Sequence, residues 1–188
     1  MSVSSAVQVQ QLDAATARAE IDALCELLID TVTGGASVGF IEPMSQAKAR
    51  AFWKKVAAGV AQGERVLFVA RNAAGRIDGT VQLLVDMPEN QPHRAEVAKL
   101  QVHRRARKHG VGHALMSALE AKAADLHKTL LVLDTASADA ERLYERLGWQ
   151  RCGVIPGFAL LPAGGLCATV FFYKAVAGAT PPVTSPTA

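Results

Sequence analysis

The segment that decides the fold is residues 95–134, AEVAKLQVHRRARKHGVGHALMSALEAKAADLHKTLLVLD. Its first residues alternate like a strand, and its last residues form the continuous apolar run typical of a strand covered on both faces. A helix is predicted between them, because apolar side chains recur at helical spacing. These are Val111, Ala114, Leu115, Ala118, Leu119 and Leu126. A strand–helix–strand unit of this kind predicts two parallel strands.

The turn before this helix is a candidate anion site. Gly110 and Gly112 allow a ligand to approach the backbone closely, and the helix start offers unpaired N–H groups. A dinucleotide-binding fold would need a third glycine where Leu115 stands, and a P-loop would need Gly-Lys-Ser/Thr. The basic run 103–109 could instead be a nucleic-acid patch or a solvated loop, but neither explains the glycines and buried helix that follow.

Length and composition predict one domain. The chain has 188 residues, of which 50% are hydrophobic and 20% charged, with a modest net charge of +3. We expect a single domain over residues 1–176 and a disordered tail over 177–188. Three scattered cysteines predict neither disulfides nor a metal site. No leader-like or membrane-spanning run is visible, so we expect a cytoplasmic protein with no membrane partner.

The flanking segments predict further elements around the central unit. The alternation and the helical spacing predict strands at 7–12, 65–71, 76–86, 96–102, 149–155 and 169–174, and helices at 15–33, 45–60 and 138–147. Three antiparallel strands then precede the parallel pair. The fold class is therefore α/β with a mixed sheet of about seven strands.

Two motifs carry a resemblance to a known family. The run Arg107-Lys108-His109-Gly110-Val111-Gly112 is similar to the acyl-CoA-binding signature of the GNAT N-acetyltransferase superfamily. A second signature is matched at the end of the following helix by Ala140, Tyr144, Leu147, Gly148 and Trp149. The runs GASVGF, EVAKLQV, LDT and PGF most resemble the tabtoxin resistance protein group of that superfamily. The resemblance implies a sheet splayed between strands 4 and 5, with four helices.

The resemblance also implies acetyl-CoA as the acetyl donor and no metal. Backbone N–H groups of the turn would bind its pyrophosphate, and a bulge in the fourth strand would bind the pantetheine and the thioester carbonyl. Ser137 stands where the family commonly has an asparagine. The residues predicted to bind the cofactor are Leu100, Gln101, Val102, Arg104, Arg107, Lys108, His109, Gly110, Val111, Gly112, His113 and Ser137.

Three side chains are the predicted catalytic residues. Glu96 stands where many relatives carry a general base, and Asp134 ends the neighbouring parallel strand, where ligands of open α/β sheets collect. Either carboxylate could take the proton of an acceptor ammonium. Tyr144 matches the family residue that protonates the leaving thiolate.

The resemblance implies that the acceptor is the primary amine of a small molecule, such as an amino-acid-like toxin or antibiotic. We expect the acceptor near the loop around Phe40, the Trp53 helix and the loop 156–165. The alternatives are a protein or peptide acetyltransferase and a non-catalytic acyl-CoA sensor. No nucleic-acid partner is expected, and a homodimer is possible by analogy of fold.

Overall fold

Thirteen elements make up the part of the chain that the computed structural model describes, residues 7–176. In chain order they are β1 (Gln8–Leu12), α1 (Ala14–Ala19), α2 (Ile21–Thr33), α3 (Gln46–Ala61), β2 (Arg65–Arg71), β3 (Ile77–Leu84), β4 (Arg94–Val102), a 3-10 turn (Arg104–Ala106), α4 (Val111–Asp125), β5 (Leu130–Thr135), α5 (Ala138–Arg146), β6 (Gln150–Leu160) and β7 (Leu166–Ala175). The predicted tail, 177–188, lies outside the described residues.

The strands form one mixed sheet in the order β1-β2-β3-β4-β5-β7-β6. Every neighbouring pair is antiparallel except β4 and β5, which are parallel. The α4 crossover joins this pair, as the apolar run and the helical spacing of residues 95–134 predict. The predicted α/β class and seven-stranded mixed sheet are confirmed.

Polar side chains set the starts of the early helices. The carboxylate of Asp13 accepts a hydrogen bond from the Thr16 N–H at 2.7 Å, and the Ser45 hydroxyl accepts one from the Lys48 N–H at 3.2 Å. The single helix predicted over 15–33 is divided at Glu20, whose ψ of 7° departs from helical geometry. The described residues therefore contain five α-helices where four were predicted.

Helices cover both faces of the sheet. On one face, Val111, Leu115 and Leu119 of α4 are buried against side chains of the central strands. On the other face, α1, α2 and α3 bury a second cluster that includes Leu24 and Trp53. Leu126 was expected on the buried face of α4, but it is 37% exposed because the helix ends at Asp125, before that position.

The parallel pair separates soon after it begins. The register pairs Arg94 with Leu130 and ends at Glu96 with Val132, although β4 continues to Val102. This is the predicted splay between strands 4 and 5. It leaves the β5-facing edge of β4 without a strand partner from residue 97 onward.

An extra residue in β4 makes the separation possible. Gln82 of β3 lies opposite Ala98, whereas Thr80 lies opposite Gln101, so β4 gains one residue between these pairs. Lys99 within this bulge has a φ of 55°, which is uncommon for a residue other than glycine. The bulge was expected near Leu100 to Val102 and lies slightly earlier.

The last two strands are longer than predicted. β6 extends to Leu160 and β7 begins at Leu166, so residues 156–160 belong to a strand rather than to a loop. β6 is at the edge of the sheet, where the missing N–H of Pro156 costs no ladder hydrogen bond. None of the described helices is long and apolar enough to cross a membrane.

Gly79→Ala tests how closely α4 is packed on the sheet. A Cβ at this position would lie 2.8 Å from Cγ1 of Val111 and 3.0 Å from Cδ1 of Leu115. We expect the free energy of unfolding to fall by about 1–3 kcal/mol because these side chains must move. Urea unfolding measures the change. The control is Gly153→Ala, because Gly153 lies in a strand and an added Cβ there would have no atom within 4 Å. The free energy of unfolding of this control should stay the same or rise. Equal stability of the two variants would contradict the packing argument.

Candidate active site

The basic turn presents a row of unpaired backbone donors. Lys108 and Gly110 have φ angles of 65° and 80°, which bend the chain into the start of α4. The N–H of Ala114 donates to the Gly110 carbonyl at 3.0 Å. Among residues 7–176, no acceptor is found for the N–H groups of residues 108–113. The turn therefore has the donors and the positive helix end that bind a phosphate group.

Packing fixes the position of this turn. Val111 is buried in the core, and the side of Gly112 lies against α5, where an added Cβ would be 3.0 Å from Cδ2 of Leu143. Glycine at this position lets α4 approach the helix that carries Tyr144. The turn and the predicted catalytic tyrosine are therefore held by the same packing contacts.

Salt bridges to α2 and β3 anchor the first half of the basic run. Arg104 donates its backbone N–H and its Nε to the carboxylate of Asp30, at 2.9 and 2.8 Å. Arg105 donates to Asp78 at 2.7 Å and to Glu26 at 2.8 Å. Burial opposes ionisation of Asp30, yet the hydrogen bonds from Arg104 hold the pKa of that carboxyl below its ordinary value. The two arginines are thus bound within the fold.

The second half of the run is free to meet a ligand. Arg107 and Lys108 are exposed and make no ion pair with any described residue. The only hydrogen bond of the Arg107 side chain in this part of the chain is a long one, 3.4 Å, to the Val102 carbonyl. Of the arginines predicted to bind cofactor, Arg107 is the one beside the unpaired N–H groups without a competing carboxylate.

Two carboxylates lie on one face of the sheet where β4 and β5 separate. Glu96 is opposite Val132 in the last pair of the register, and Asp134 is two residues beyond Val132, so their side chains share a face. The Thr169 hydroxyl donates to Oδ2 of Asp134 at 2.7 Å, which fixes the carboxylate and leaves its other oxygen available. Glu96 is 45% exposed and lies 4.0 Å from Arg94.

Tyr144 lies on the opposite side of the separation, on α5. Its ring is 4% exposed and packs on Trp149 and Phe172, with centroids 5.9 and 5.7 Å away. Burial, and secondly the charge of Asp134, raise the pKa of the Tyr144 phenol far above its ordinary value. The hydroxyl makes no hydrogen bond to the described residues. It is therefore a protonated donor without a partner in the described chain.

Lys99 brings a cation to the same face as the carboxylates. Its Nζ lies against the loop after α2, since a Cβ on Gly39 would be 3.0 Å from it. Burial lowers the pKa of the Lys99 ammonium, and the charges of Asp134 and Glu96 oppose that shift. The sequence reasoning did not single out this residue, although a lysine within an apolar strand is a visible signal.

The loop 36–43 and the β6–β7 hairpin lie beside the sheet face that carries Lys99 and the two carboxylates. The Glu42 N–H donates to the Pro162 carbonyl at 2.9 Å, which joins the loop to the hairpin. Phe40 packs edge-on against Phe52, with centroids 5.1 Å apart. Trp53 is only 1% exposed, so α3 supports the loop through its aromatic residues, and the Trp53 side chain itself lies in the core.

The remaining predicted cofactor residues occupy varied environments. Leu100 and Val102 lie on the part of β4 whose β5-facing edge has no strand partner. The Gln101 side chain is buried and has no hydrogen-bond partner among the described residues. His109 and His113 are exposed around the turn. Ser137 caps α5 by accepting from the Ala140 N–H at 3.4 Å. No group of His, Cys, Asp and Glu suited to a metal ion occurs within residues 7–176.

Some contributors could be found only from the tertiary structure. Thr169 contacts Asp134 from a strand that is 35 residues away in the chain, and Asp30 contacts Arg104 from 74 residues away. Neither residue lies in a recognisable motif. Their roles depend on the sheet order, which sets β7 beside β5 and α2 beside the end of β4.

Known proteins are similar to this chain in sequence and in fold. Residues 63–151 match the family model described as an acetyltransferase (GNAT) domain. Similar solved structures include yncA of Salmonella typhimurium, a putative acetyltransferase with its cofactor acetyl-CoA. It is 18% identical, with a TM-score of 0.74, and the match covers 96% of this chain and 100% of that one.

Two further structures share the fold. A GNAT superfamily phosphinothricin acetyltransferase from Sinorhizobium meliloti, in complex with acetyl-CoA, is 19% identical with a TM-score of 0.75, over 96% of this chain and 93% of that one. A ribosomal-protein-alanine N-acetyltransferase from Brucella melitensis is 19% identical with a TM-score of 0.73, over 89% and 99%. Residues 63–151 are therefore similar to a GNAT acetyltransferase domain, and the three solved structures share the fold of nearly the whole chain.

Proposed function

We propose that the protein transfers an acetyl group from acetyl-CoA to the primary amine of a small molecule, by direct attack in a ternary complex. One observation carries the proposal: β4 and β5 separate after Glu96 and Val132, with a phosphate-binding turn at the far end of β4 and two carboxylates on one face. Donor and acceptor can thus approach the gap from different sides. The acetyl-CoA complexes of yncA and the phosphinothricin acetyltransferase support the choice of donor.

The residues of the turn suit the cofactor. The N–H groups of residues 108–113 and the exposed Arg107 would hold the pyrophosphate, and the unpaired edge of β4 would hold the pantetheine. Acetyl-CoA supplies the acetyl group in activated form, as a thioester. A donor on β4 aimed at the thioester oxygen would stabilise the charge that develops there, an effect worth about 3–4 kcal/mol in acyl transfer.

The carboxylates prepare the nucleophile. An amine arrives as an ammonium ion and must lose a proton before it can attack, so Glu96 or Asp134 attracts the cation and takes that proton directly or through water. The bond from Thr169 holds Asp134 in place for this task. On the opposite side, the Tyr144 hydroxyl donates a proton to the departing thiolate.

The walls of the acceptor side favour a small molecule. The hydrogen bond between Glu42 and Pro162 joins the loop 36–43 to the β6–β7 hairpin, which narrows the approach for a folded protein. The resemblance to the tabtoxin resistance group and the phosphinothricin acetyltransferase fold support the same choice. A protein or peptide acceptor is the second candidate, because a ribosomal-protein-alanine N-acetyltransferase shares the fold.

A cytoplasmic location and a homodimer stay predictions.

Glu96→Gln and Asp134→Asn test the proton-taking step. We expect kcat to fall about 100-fold or more in the variant that loses the base, while acetyl-CoA affinity changes less than about twofold. Thiol release with an amine panel and calorimetry with acetyl-CoA measure these quantities. Glu145→Gln and Asp125→Asn, exposed carboxylates without ion pairs in the described chain, should behave as wild type.

The same assay separates an enzyme from an acyl-CoA sensor. A sensor would bind acetyl-CoA and release no thiol with any amine, so its variants would have no turnover to lose. An acetyl-enzyme that forms with acetyl-CoA alone and then passes its acetyl group to an amine would disprove direct transfer.

Arg107→Gln tests the phosphate turn. Removing this exposed guanidinium should weaken CoA binding about three- to tenfold because a charge-assisted contact to the pyrophosphate is lost. Binding of pantetheine, which lacks the pyrophosphate, should be unchanged. Calorimetry with both ligands checks the difference. Arg76→Gln removes another exposed, unpaired arginine of the described chain and serves as the control; equal losses for CoA and pantetheine would rule out the assignment.

Tyr144→Phe tests the proton donor. We expect kcat to fall about tenfold or more with little change in acetyl-CoA affinity. Because its raised pKa keeps the phenol protonated, the alkaline limb of the pH profile should have the same midpoint in wild type and variant. Stopped-flow thiol release across pH provides the measurement. Tyr173→Phe, at the exposed tyrosine, is the control, and an unaltered kcat in Tyr144→Phe would remove the residue from the mechanism.

A further inference from the structure

Lys99 is a cation whose charge no residue of the described chain pairs directly. It makes no hydrogen bond and no ion pair within 4.0 Å in residues 7–176, although its side chain is partly buried. Lys174, by contrast, forms a salt bridge in which its Nζ lies 2.7 Å from a carboxylate oxygen of Glu120. An ammonium that loses water without gaining a partner is destabilised, so a bound anion would stabilise it.

The backbone at Lys99 adds a second observation. The residue has a φ of 55° at the bulge of β4, where glycine or asparagine would be less strained. Non-glycine residues in the left-handed region cluster at active sites and ligand sites, where the surrounding structure holds the strained conformation. The bulge directs this lysine toward Gly39 of the acceptor-side loop. The strained backbone thus carries a side chain whose charge no hydrogen bond or ion pair of the described residues uses.

The charges that face Lys99 define what it can bind. Glu96 comes from β4 and Asp134 from β5, and the facing loop contributes the uncharged Gly39. One cation therefore stands beside two anions without contacting either. An acceptor with an ammonium and a nearby anionic group matches this arrangement, because each of its charges finds the opposite charge on the protein.

We propose that Lys99 is a specificity-determining residue that binds an anionic group of the acceptor, next to the amine that Glu96 and Asp134 receive. The acceptor is then an amine that also carries a carboxylate or a similar anion, rather than a polyamine or an aminoglycoside. This inference rests on the proposed amine acetyltransferase activity. It adds the residue that selects among amines, which neither the family match nor the fold assigns.

The test compares matched acceptors. Wild type, Lys99→Met and Lys99→Arg are assayed with L-methionine, L-glutamine and L-ornithine, each beside its carboxamide, which keeps the amine and removes the negative charge. The readout is the ratio of kcat/KM for acid over amide within each variant. We expect a ratio of about ten or more in wild type, near one in Lys99→Met and intermediate in Lys99→Arg, with the change mainly in KM. Lys55→Met, at an exposed lysine of α3, should keep the wild-type ratio.

Binding without chemistry provides a second readout. Calorimetry with the acids and amides, in the absence of acetyl-CoA, should show the same preference in wild type and its loss in Lys99→Met. Circular dichroism and urea unfolding establish that each variant is folded. A wild-type ratio near one, or an unchanged ratio in Lys99→Met, overturns the inference. Tighter binding of both the acid and the amide in Lys99→Met also overturns it. That result would mean that Lys99 competes with the acceptor ammonium for the carboxylates of Glu96 and Asp134.

The inference and the proposed function fail in different ways. If spermidine or an aminoglycoside is acetylated while no acid is bound or acetylated, the enzyme is an amine acetyltransferase and the role of Lys99 is wrong. If acetyl-CoA binds but no amine is acetylated, the proposed function fails and the inference fails with it.

Discussion

The structure depends on one interruption of β pairing. After Glu96 and Val132 the parallel strands no longer hydrogen-bond to each other, and the extra residue at Lys99 bends β4 away while it stays paired with β3. A continuous sheet would have no opening at its centre. Because the β5-facing backbone groups of β4 beyond this point lack a strand partner, they are available to a ligand, which is the usual use of a bulge beside an active site.

Salt bridges and packing hold the two sides of this opening in a fixed relation. Asp30 and Asp78 bind the arginines that precede the phosphate turn, so a run that reads as a charged surface loop is anchored to α2 and β3. The same pairs explain why the cationic run is less available to a large polyanion than its sequence suggests. Asp30 also links the donor turn to α2, the helix that leads into the acceptor-side loop. The turn 107–113 and the loop 36–43 are therefore linked through the same helix.

The charges of the site differ in how completely they are satisfied. Thr169 donates a hydrogen bond to Asp134, and burial keeps the Tyr144 phenol neutral. Lys99 has no partner in the described chain, and burial lowers the pKa of its ammonium group. Partly buried charges without partners are costly, and they concentrate at sites that bind ligands. Under the proposed function, this contrast places substrate specificity at Glu96, Asp134 and Lys99 rather than at the turn 107–113.

The sequence by itself determined the central strand–helix–strand unit, the glycine turn and the α/β class, because these depend on local periodicity and on backbone freedom within a few residues. It placed Glu96, Asp134 and Tyr144 on the right elements, and it missed the break at Glu20 and the full length of β6. Only the tertiary structure decided which arginines are paired, where the bulge lies and that Lys99 faces two carboxylates. Those facts depend on sheet order and register, which join residues that are distant in the chain and carry no local pattern.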